Sequence, residues 1–272
     1  MKLQKFNDKN VLITGASSGI GEAMAFALAK TSAHLFLTGR NMERLSVVCE
    51  KCIEAGQNTS LQTKAPTMFH VDFSDKASID DFVSTVTGEA VSFDYIILNA
   101  GVSQRALTME TDFSVDRTIM ETNFFGPVYL IKRLSVMMLA GKPVHIAATS
   151  SITGLFGFPL RSAYSASKHA LFGFFESLEL EHKHIHVTFL IPGRISTPIS
   201  VSAIIGDGTA YSKMDAGQAG GMDVNKCARI ALRAILKGKH RQLIGGKELW
   251  MVYLKKYMPF LFYLLARKVS ST

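Results

Sequence analysis

The sequence is poor in cysteine, and its start lacks the apolar run of a secretory signal. Three cysteines among 272 residues are too few for a disulfide framework, which favours a reducing compartment. Residues 1–10 are polar and mixed in charge, and the first apolar run, Val11–Ile13, is far shorter than the core of a signal peptide. We therefore expect a cytoplasmic protein without a secretory signal.

The sequence also lacks a dense basic block, an internal repeat and the G-x-S-x-G elbow of a serine hydrolase. The net charge is +8, but Lys and Arg are spread along the chain, so a solvated basic surface explains most of them. No nucleic-acid reading motif is present, and we expect no nucleic-acid partner. Cys49, Cys52, His182, His184 and His186 lack partners that would complete a ligand set, so we predict no metal site.

Short apolar runs alternate with segments of helical periodicity along the chain. The predicted strands are Val11–Thr14, Ala33–Thr38, Thr67–Val71, Tyr95–Leu98, Val144–Thr149, His186–Ile191 and Gln242–Ile244. The predicted helices are Gly19–Thr31, Asn41–Ala55, Lys76–Val86, Val115–Leu139, Ala163–His182 and Val224–Leu236. This pattern predicts one Rossmann-like, doubly wound α/β domain over residues 1–272, with a parallel sheet of about seven strands and helices on both faces. Ligands bind such sheets at the carboxyl ends of the strands.

The first strand ends in a glycine-rich stretch, T-G-A-S-S-G-I-G, at Thr14–Gly21. Glycine permits a tight turn and a close approach of the backbone to a pyrophosphate, and the free N–H groups of the following helix attract the phosphate charge. The spacing is G-x-x-x-G-x-G, but it lies between a strand and a helix, where a dinucleotide binds. We assign six residues of this loop to a cofactor: Gly15, Ser17, Ser18, Gly19, Ile20 and Gly21.

The end of the second strand indicates which dinucleotide binds. Enzymes for the unphosphorylated form usually carry an acidic residue there for the ribose hydroxyls, whereas this chain has Gly39, Arg40 and Asn41. A guanidinium suits a 2′-phosphate, so Arg40, with Asn41 beside it, favours NADP(H) over NAD(H). The alternative for Arg40 is a surface residue at the start of a helix.

Polar and small residues follow three further strands. Asp72 ends the third strand, where its carboxylate could accept from an adenine amino group or cap the next turn. Asn99, Ala100 and Gly101 end the fourth strand and would let the backbone approach the adenosine ribose. After the fifth strand, S-A-Y-S-A-S-K places Tyr164 and Lys168 on one helix face. By themselves they are either a surface pair or an acid with a cation that tunes its pKa.

Taken in order, these elements resemble the short-chain dehydrogenase/reductase family over nearly the whole chain. The set comprises the Thr14–Gly21 loop, Asp72, Asn99-Ala100-Gly101, Asn123, Ser151, Tyr164-x-x-x-Lys168 and Pro192-Gly193 with Thr197. The stretches G-V-S-Q-R-A-L, M-E-T-N-F-F-G-P and P-L-R-S-A-Y-S-A-S-K-H-A are most similar to the dehydrogenase/reductase subgroup 7 type. One departure is Leu98, which stands where the family often has the first asparagine of Asn-Asn-Ala-Gly.

The resemblance implies a catalytic set of Asn123, Ser151, Tyr164 and Lys168. Tyr164 would give its proton to a carbonyl oxygen as hydride arrives, and Ser151 would hydrogen-bond the same oxygen. Lys168 would favour the phenolate and bind the nicotinamide ribose, and Asn123 would hold a water in a proton relay to Lys168. The resemblance also implies cofactor contacts from Tyr164, Lys168, Pro192, Gly193, Ile195 and Thr197, with Thr197 at the carboxamide.

The activity implied is hydride transfer to or from a lipophilic ketone or secondary alcohol. We expect a pocket lined from Ser103–Leu107, Thr153–Leu160 and Ile199–Met222, with a mobile lid over about residues 198–222. One alternative is a 3-oxoacyl reductase of lipid synthesis. An alternative of another class is a non-catalytic nucleotide-sensing protein, although a sensor has no need of the acid Tyr164.

The segment 247–268 is apolar, aromatic and flanked by basic residues. Lys255 and Lys256 interrupt it and Pro259 breaks it, so it is too short and too charged to span a membrane. It could pack on its own subunit, close a homodimer or homotetramer, or lie on a membrane surface. We expect oligomer packing first and peripheral membrane contact second.

Overall fold

Seven parallel strands form one sheet in a computed structural model of the chain, which describes residues 3–59, 61–139 and 141–267. The strands are β1 (Asn10–Thr14), β2 (His34–Gly39), β3 (Thr67–His70), β4 (Tyr95–Leu98), β5 (Val144–Thr149), β6 (Ile185–Pro192) and β7 (Arg241–Ile244). Their order across the sheet is β3-β2-β1-β4-β5-β6-β7. The predicted doubly wound fold is confirmed.

Helices connect the strands and cover both faces of the sheet. They are α1 (Gly19–Leu28), α2 (Met42–Gln57), α3 (Lys76–Gly88), α4 (Phe113–Met120), α5 (Gly126–Arg133), α6 (Ser135–Met138), α7 (Ser162–Glu181), α8 (Ala216–Ala219), α9 (Val224–Leu236), α10 (Trp250–Tyr257) and α11 (Pro259–Ala266). Helices α1, α2 and α9 pack on one face, and α3, α5 and α7 pack on the other.

Burial on both faces explains the continuous apolar runs of the strands. In β1, Val11 and Ile13 join the core on the α1 side, while Leu12 joins the core on the α7 side. A strand covered on both faces needs apolar residues at every position, so it shows no polar alternation. Leu98, the departure from the family motif, is buried in the second of these cores.

The prediction of one regular helix over Val115–Leu139 is wrong. Residues Glu121–Phe125 form a π-helical segment between α4 and α5. A Cβ atom on Gly126, the first residue of α5, would lie 2.2 Å from the carbonyl oxygen of Phe73, so the backbones touch there. Single-turn π segments are frequent at functional sites, and this one contains Asn123.

A crevice for a ligand is expected where the strand order reverses. The connections after β1 lead outward to β2 and β3, and β4 returns to the other side of β1. The loops after β1 and β4 therefore diverge at the carboxyl end of the sheet. β3 ends at His70 rather than at the predicted Val71. Asp72 therefore lies in the turn after the strand, whereas the sequence placed it at the strand end.

The C-terminal segment forms two short helices, with Pro259 at the first position of α11. Phe262 and Ala266 are buried against Phe156 in a small separate core. Within the described residues, no helix combines the length and apolarity that crossing a membrane requires. Lys268, the last residue of the predicted tail, lies outside the described residues.

Candidate active site

The loop after β1 has a backbone that only glycine accommodates without strain. Gly15 and Gly19 have φ values of 64° and 60°. A Cβ atom on Gly15 would lie 2.7 Å from the Cα of Ala100, and one on Gly21 would lie 2.3 Å from the carbonyl oxygen of Gly15. The loop thus runs close to the end of β4 and leaves its outer side open.

Side chains at the ends of β1 and β4 hold this loop in place. The Thr14 hydroxyl accepts from the N–H groups of Asn99, at 2.9 Å, and Ala100, at 3.0 Å. The Asn99 amide donates to the carbonyl oxygens of Thr14 and Gly15, both at 3.3 Å. The Asn99 amide therefore fixes the loop, and small residues beside it keep the crevice open.

A cavity of about 250 Å³ lies along this crevice. It brings together many of the residues that the sequence assigned to a cofactor: Gly15, Ser17, Ser18, Gly19, Ile20, Arg40, Asn41, Asn99, Ala100, Gly101, Tyr164, Lys168, Pro192 and Thr197. Its wall also includes Arg44, Val71 and Phe73, which sequence reasoning missed. Gly21 packs behind the loop, and Asp72 lies beside the wall.

Two arginines stand where β2 ends. Arg40 is exposed, and Arg44, one helical turn further on, lines the same cavity. The Asn41 side chain accepts from the N–H of Arg44 at 2.8 Å and thereby caps α2. No acidic residue is among the described residues that line this cavity. Arg44 could have been predicted as the second cation, because it lies four residues after Arg40 at the start of the predicted helix.

Of the two roles considered for Asp72, the turn cap matches the contacts. Its carboxylate accepts from the N–H of Ser74 at 2.9 Å and from the Ser74 hydroxyl at 2.7 Å. Its own N–H donates to the Ser78 hydroxyl at 3.0 Å. The residues on either side of it, Val71 and Phe73, line the cavity instead.

Tyr164 and Ser151 face each other near the carboxyl end of β5. Both side chains are buried, and Ser151 caps a short 3₁₀ turn by accepting from the N–H of Thr153 at 3.3 Å. Burial raises the pKa of the Tyr164 phenol above its usual range. The Arg161 guanidinium, the Ser151 hydroxyl and the Arg105 guanidinium, in that order, act to lower the same pKa.

Lys168 lies one turn after Tyr164, as its spacing predicts. Its Nζ donates to the carbonyl oxygen of Thr149 at 2.9 Å and lies 5.8 Å from the centroid of the Tyr164 ring. Burial lowers the pKa of the Lys168 ammonium to about 8. The Ser150 hydroxyl donates to the Lys168 carbonyl at 3.0 Å and ties the helix to the end of β5.

A largely buried cluster of two arginines and one aspartate lies next to Tyr164. Nε of Arg105 donates to Asp215 at 2.9 Å, and a second guanidinium nitrogen of Arg105 contacts the same carboxylate oxygen. Arg161 lies 3.6 Å from that oxygen and 5.9 Å from the centroid of the Tyr164 ring. One carboxylate therefore faces two guanidiniums. Burial lowers the pKa of Arg161 to about 10, and Arg105 adds to this effect. Sequence reasoning missed this cluster, because only the fold brings its members together.

The Asn123 side chain is fully engaged in hydrogen bonds, two to backbone and one to a side chain. Its Oδ1 accepts from the N–H of Val102 at 2.8 Å, and its Nδ2 donates to the Val102 carbonyl at 2.9 Å and to the Ser167 hydroxyl at 3.1 Å. A Cβ atom on Gly101 would lie 2.9 Å from this Oδ1 and 3.3 Å from the Lys168 Nζ. Asn123 thus holds β4's loop against α7, close to Lys168.

The loop after β6 is tied to the segment predicted as a lid. The Gln218 amide donates to the Ile195 carbonyl at 2.6 Å and approaches the Thr197 hydroxyl at 3.5 Å. Glu248 accepts from the N–H of Arg194 at 2.8 Å, and a Cβ atom on Gly193 would lie 2.3 Å from the same carboxylate. The mobility of residues 198–222 remains a prediction.

Ser151 lines a larger cleft of about 1110 Å³, and its chain neighbour Ser150 lines the first cavity. Phe156, Phe158 and Met251 give it an apolar side, and Arg161, Arg194, Lys226 and Lys247 give it cations. The predicted segments 153–160 and 199–222 contribute to its wall. Ser103, Gln104 and Arg105 are buried and do not line this cleft, so the part of 103–107 in the substrate pocket stays a prediction. The Gln104 side chain accepts from the N–H of Ala163 at 2.9 Å, at the start of α7.

The histidines and cysteines set aside in the sequence lie away from this site. Cys49 and Cys52 are buried in α2 and pack in the core. His186 and His240 each approach the Glu179 carboxylate, at 2.7 Å and 3.2 Å, near the amino ends of β6 and β7. These residues form a hydrogen-bonded group that the sequence pattern of His182, His184 and His186 did not indicate.

The doubly wound fold and this arrangement of Ser151, Tyr164 and Lys168 define a class of α/β oxidoreductases. The family model of the short chain dehydrogenases matches residues 9–205. The Dehydrogenase/reductase SDR family member 7B of Xenopus laevis is 38% identical over 256 residues, covering 93% of this chain and 79% of the relative. The chain belongs to the short-chain dehydrogenase/reductase family and is an oxidoreductase.

Solved structures with the same fold are more distant in sequence. A short chain dehydrogenase/reductase from Burkholderia phymatum in complex with NAD superimposes with a TM-score of 0.79 at 20% identity, covering 94% of this chain and 95% of that one. An alcohol dehydrogenase from Thermococcus sibiricus complexed with 5-hydroxy-NADP gives 0.71 at 22% identity, covering 88% and 97%. These likenesses establish the fold.

Proposed function

We propose that this oxidoreductase transfers hydride between NADP(H) and a lipophilic ketone or secondary alcohol. The observation that carries the proposal is the position of Tyr164 and Ser151 between two cavities. Tyr164 lines the crevice beside the glycine-rich loop, and Ser151 lines the larger cleft. A carbonyl group held in the larger cleft would thus face Tyr164 with its oxygen and the crevice with its carbon.

The crevice residues fit a dinucleotide. Gly15, Gly19 and the start of α1 offer backbone N–H groups to a pyrophosphate, and Gly101 leaves room that a Cβ atom would fill. When bound, the dinucleotide supplies or accepts the hydride. Of the two solved structures with this fold described above, one is a complex with NAD and the other a complex with 5-hydroxy-NADP, so the fold accommodates either form.

Arg40 and Arg44 support a preference for the phosphorylated form. Both line the crevice where an adenosine ribose would lie, and the carboxylate that would recognise the ribose hydroxyls is missing from its described lining. Guanidiniums bind a phosphate through charge-assisted hydrogen bonds and gain little from an unmodified ribose.

The proton is transferred by Tyr164. In the reducing direction its phenol donates to the carbonyl oxygen, and the Ser151 hydroxyl hydrogen-bonds the same oxygen as negative charge develops there. Lys168 and Arg161 place two cations within about 6 Å of the ring, where they stabilise the phenolate that remains. Because the Asn123 amide is occupied by Val102 and Ser167, a relay water would have to bind its backbone carbonyl.

The four cations of the larger cleft favour a second candidate, a reductase of 3-oxoacyl groups on an acidic carrier. Arg161, Arg194, Lys226 and Lys247 line the cleft. Its three acidic residues are engaged: Asp215 with Arg105 and Arg161, Asp223 with the start of α9, and Glu248 with the N–H groups of Arg194 and Gly246. An acyl chain would lie on Phe156 and Phe158 and an acidic linker on the cations. Turnover of neutral ketones by the same protein would favour the first candidate.

Cofactor binding tests the proposal most directly. We expect fluorescence titration to show tighter binding of NADPH than of NADH, and Arg40→Asp to reverse the preference. Arg117→Asp, which changes charge equally on α4, is the matched control and should leave the preference unchanged. Equal affinity of the unmodified protein for both dinucleotides would refute the role given to the two arginines.

Turnover tests the catalytic part. A panel of lipophilic ketones should be reduced with NADPH by the unmodified protein, and Tyr164→Phe should abolish turnover while NADPH affinity is kept. A Tyr164→Phe variant that still turns over at the original rate would show that another group supplies the proton.

A further inference from the structure

Helices α10 and α11 turn aromatic and aliphatic side chains outward. Trp250 is 76% exposed and Phe260 is 84% exposed. On each helix the exposed residues recur at helical spacing, so each presents one continuous apolar stripe. We name the residues of the two stripes the α10–α11 surface: Trp250, Tyr253, Tyr257, Met258, Phe260, Tyr263, Leu264 and Leu265. Exposed apolar surface of this extent indicates a partner.

The charge of this surface has one sign. Lys255, Lys256 and Arg267 lie within it, and no acidic residue occurs between Leu249 and Arg267. Lys255 donates to the Tyr263 hydroxyl at 2.7 Å and lies 4.2 Å from the centroid of that ring. Lys256 lies 5.1 Å from the centroid of the Tyr257 ring. Cations and aromatic rings are thus interleaved on one face.

The opposite face of the helix pair is fixed to the domain. Phe262 and Ala266 are buried against Phe156, and the Phe156 and Phe262 ring centroids are 5.1 Å apart. Met251, on the inner side of α10, lines the larger cleft. The outward surface is therefore held in a set orientation beside that cleft.

We propose that the α10–α11 surface binds the surface of a membrane that contains anionic lipids. Interleaved aromatic rings and cations match the boundary between lipid headgroups and acyl chains. Each helix has eight residues, which fits a position along the interface. A second copy of the chain is disfavoured as the partner, because a twofold contact would bring the three cations against their own copies without an acid to pair them.

The single tryptophan of the chain gives a direct measurement, because it is Trp250. Vesicles of phosphatidylcholine mixed with phosphatidylserine are added to the full-length protein. We expect the Trp250 emission to shift to shorter wavelength and the protein to sediment with the vesicles. Vesicles of phosphatidylcholine alone should bind more weakly. This readout is independent of cofactor and turnover, so it stands or fails separately from the proposed reaction.

Variants separate the apolar and charged contributions. Phe260→Ser should weaken vesicle binding about tenfold, since one large apolar side chain no longer leaves water. The paired change Lys256→Gln with Arg267→Gln should weaken it about fivefold for each cation removed. The matched controls are Leu180→Ser, which is 85% exposed on α7, and Lys237→Gln with Lys239→Gln; both should bind as the unmodified protein does.

Three results would overturn the proposal. One is the absence of any shift or sedimentation with the mixed vesicles. Another is vesicle binding that Phe260→Ser and the paired charge variant leave unchanged. The third is a Trp250 shift that depends on protein concentration without lipid, together with a larger species in gel filtration, which would assign the surface to a second copy of the chain.

Discussion

Replacing Arg161 by methionine removes a cation that acts on Tyr164 without contacting a reacting atom. The guanidinium carbon lies 5.9 Å from the centroid of the Tyr164 ring. At an effective dielectric constant of about 20, unit charges at this separation interact by about 3 kcal/mol. That energy corresponds to about a hundredfold change in the ratio of phenolate to phenol. Asp215, 3.6 Å from Arg161, offsets part of the charge, so we expect about a tenfold effect.

The direction of the effect depends on the reaction measured. Without Arg161 the pKa of Tyr164 rises, because burial is then opposed by one cation fewer. Alcohol oxidation needs the phenolate, so its rate at neutral pH should fall about tenfold and recover as the pH is raised. Ketone reduction needs the neutral phenol and should persist to higher pH than in the unmodified protein.

The assay is the pH profile of kcat in both directions. Arg161→Lys keeps the charge and should restore most of the oxidation rate, whereas Arg194→Met, in the same cleft, should leave the profile in place. An unchanged profile in Arg161→Met would refute electrostatic tuning of Tyr164 by this cluster. A changed KM with an unchanged profile would make Arg161 a substrate-binding residue only.

Three further changes test other parts of the site and the core. Gly101→Ala places a methyl group 2.9 Å from the Asn123 amide oxygen, so kcat should fall about a hundredfold; a normal kcat would refute the close approach there. Asn123→Ala leaves the buried N–H and C=O of Val102 without partners and should lower the free energy of unfolding by about 3 kcal/mol in urea, whereas the exposed Asn225→Ala should change it little. Burial lowers the pKa of His145 from 6.5 to about 4. The unfolded chain therefore binds a proton at His145 at a higher pH than the folded protein does, and stability should be lost as pH falls through this range. His145→Gln should remove up to about 3 kcal/mol of that loss, and an equally steep acid transition in the variant would contradict the assignment.

The sequence was a good guide to the sheet and to the loop after β1, because their signals are local. A strand covered on both faces needs several successive apolar residues, as in Val11–Thr14, and the glycines after it mark the only backbone that can turn there. The Tyr164 and Lys168 pair was found for the same reason, since one helical turn joins them. Boundaries shifted by only a residue or two at elements such as β3.

The rest could not be predicted, because it depends on contacts between distant segments. Arg105, Arg161 and Asp215 meet only after three separate loops pack together, and no periodic pattern marks any of them. Asn123 was expected to hold a relay water, and this stays a prediction, but the sequence did not indicate that its side chain would bind the Val102 backbone. The π segment that contains Asn123 adds one residue to an otherwise regular helical pattern. Helical periodicity is judged over a window of many residues, so it does not reveal a single added one.

The cluster of Arg105, Arg161 and Asp215 has one cation more than it has anions, and from this we predict how Arg161→Met affects stability. The buried guanidinium of Arg105 and the largely buried one of Arg161 share the Asp215 carboxylate. The second carboxylate oxygen, Oδ1, is buried with no hydrogen-bond partner among the described residues. Such a cluster costs desolvation energy that its ion pairs do not fully return, and removing Arg161 leaves Arg105 and Asp215 as a one-to-one ion pair. Arg161→Met should therefore leave Tm unchanged or raise it while the oxidation rate falls, since activity and stability make opposite demands on this residue. A Tm lowered by several degrees, with the pH profile unmoved, would instead make the cluster a structural element that holds the wall of the cleft.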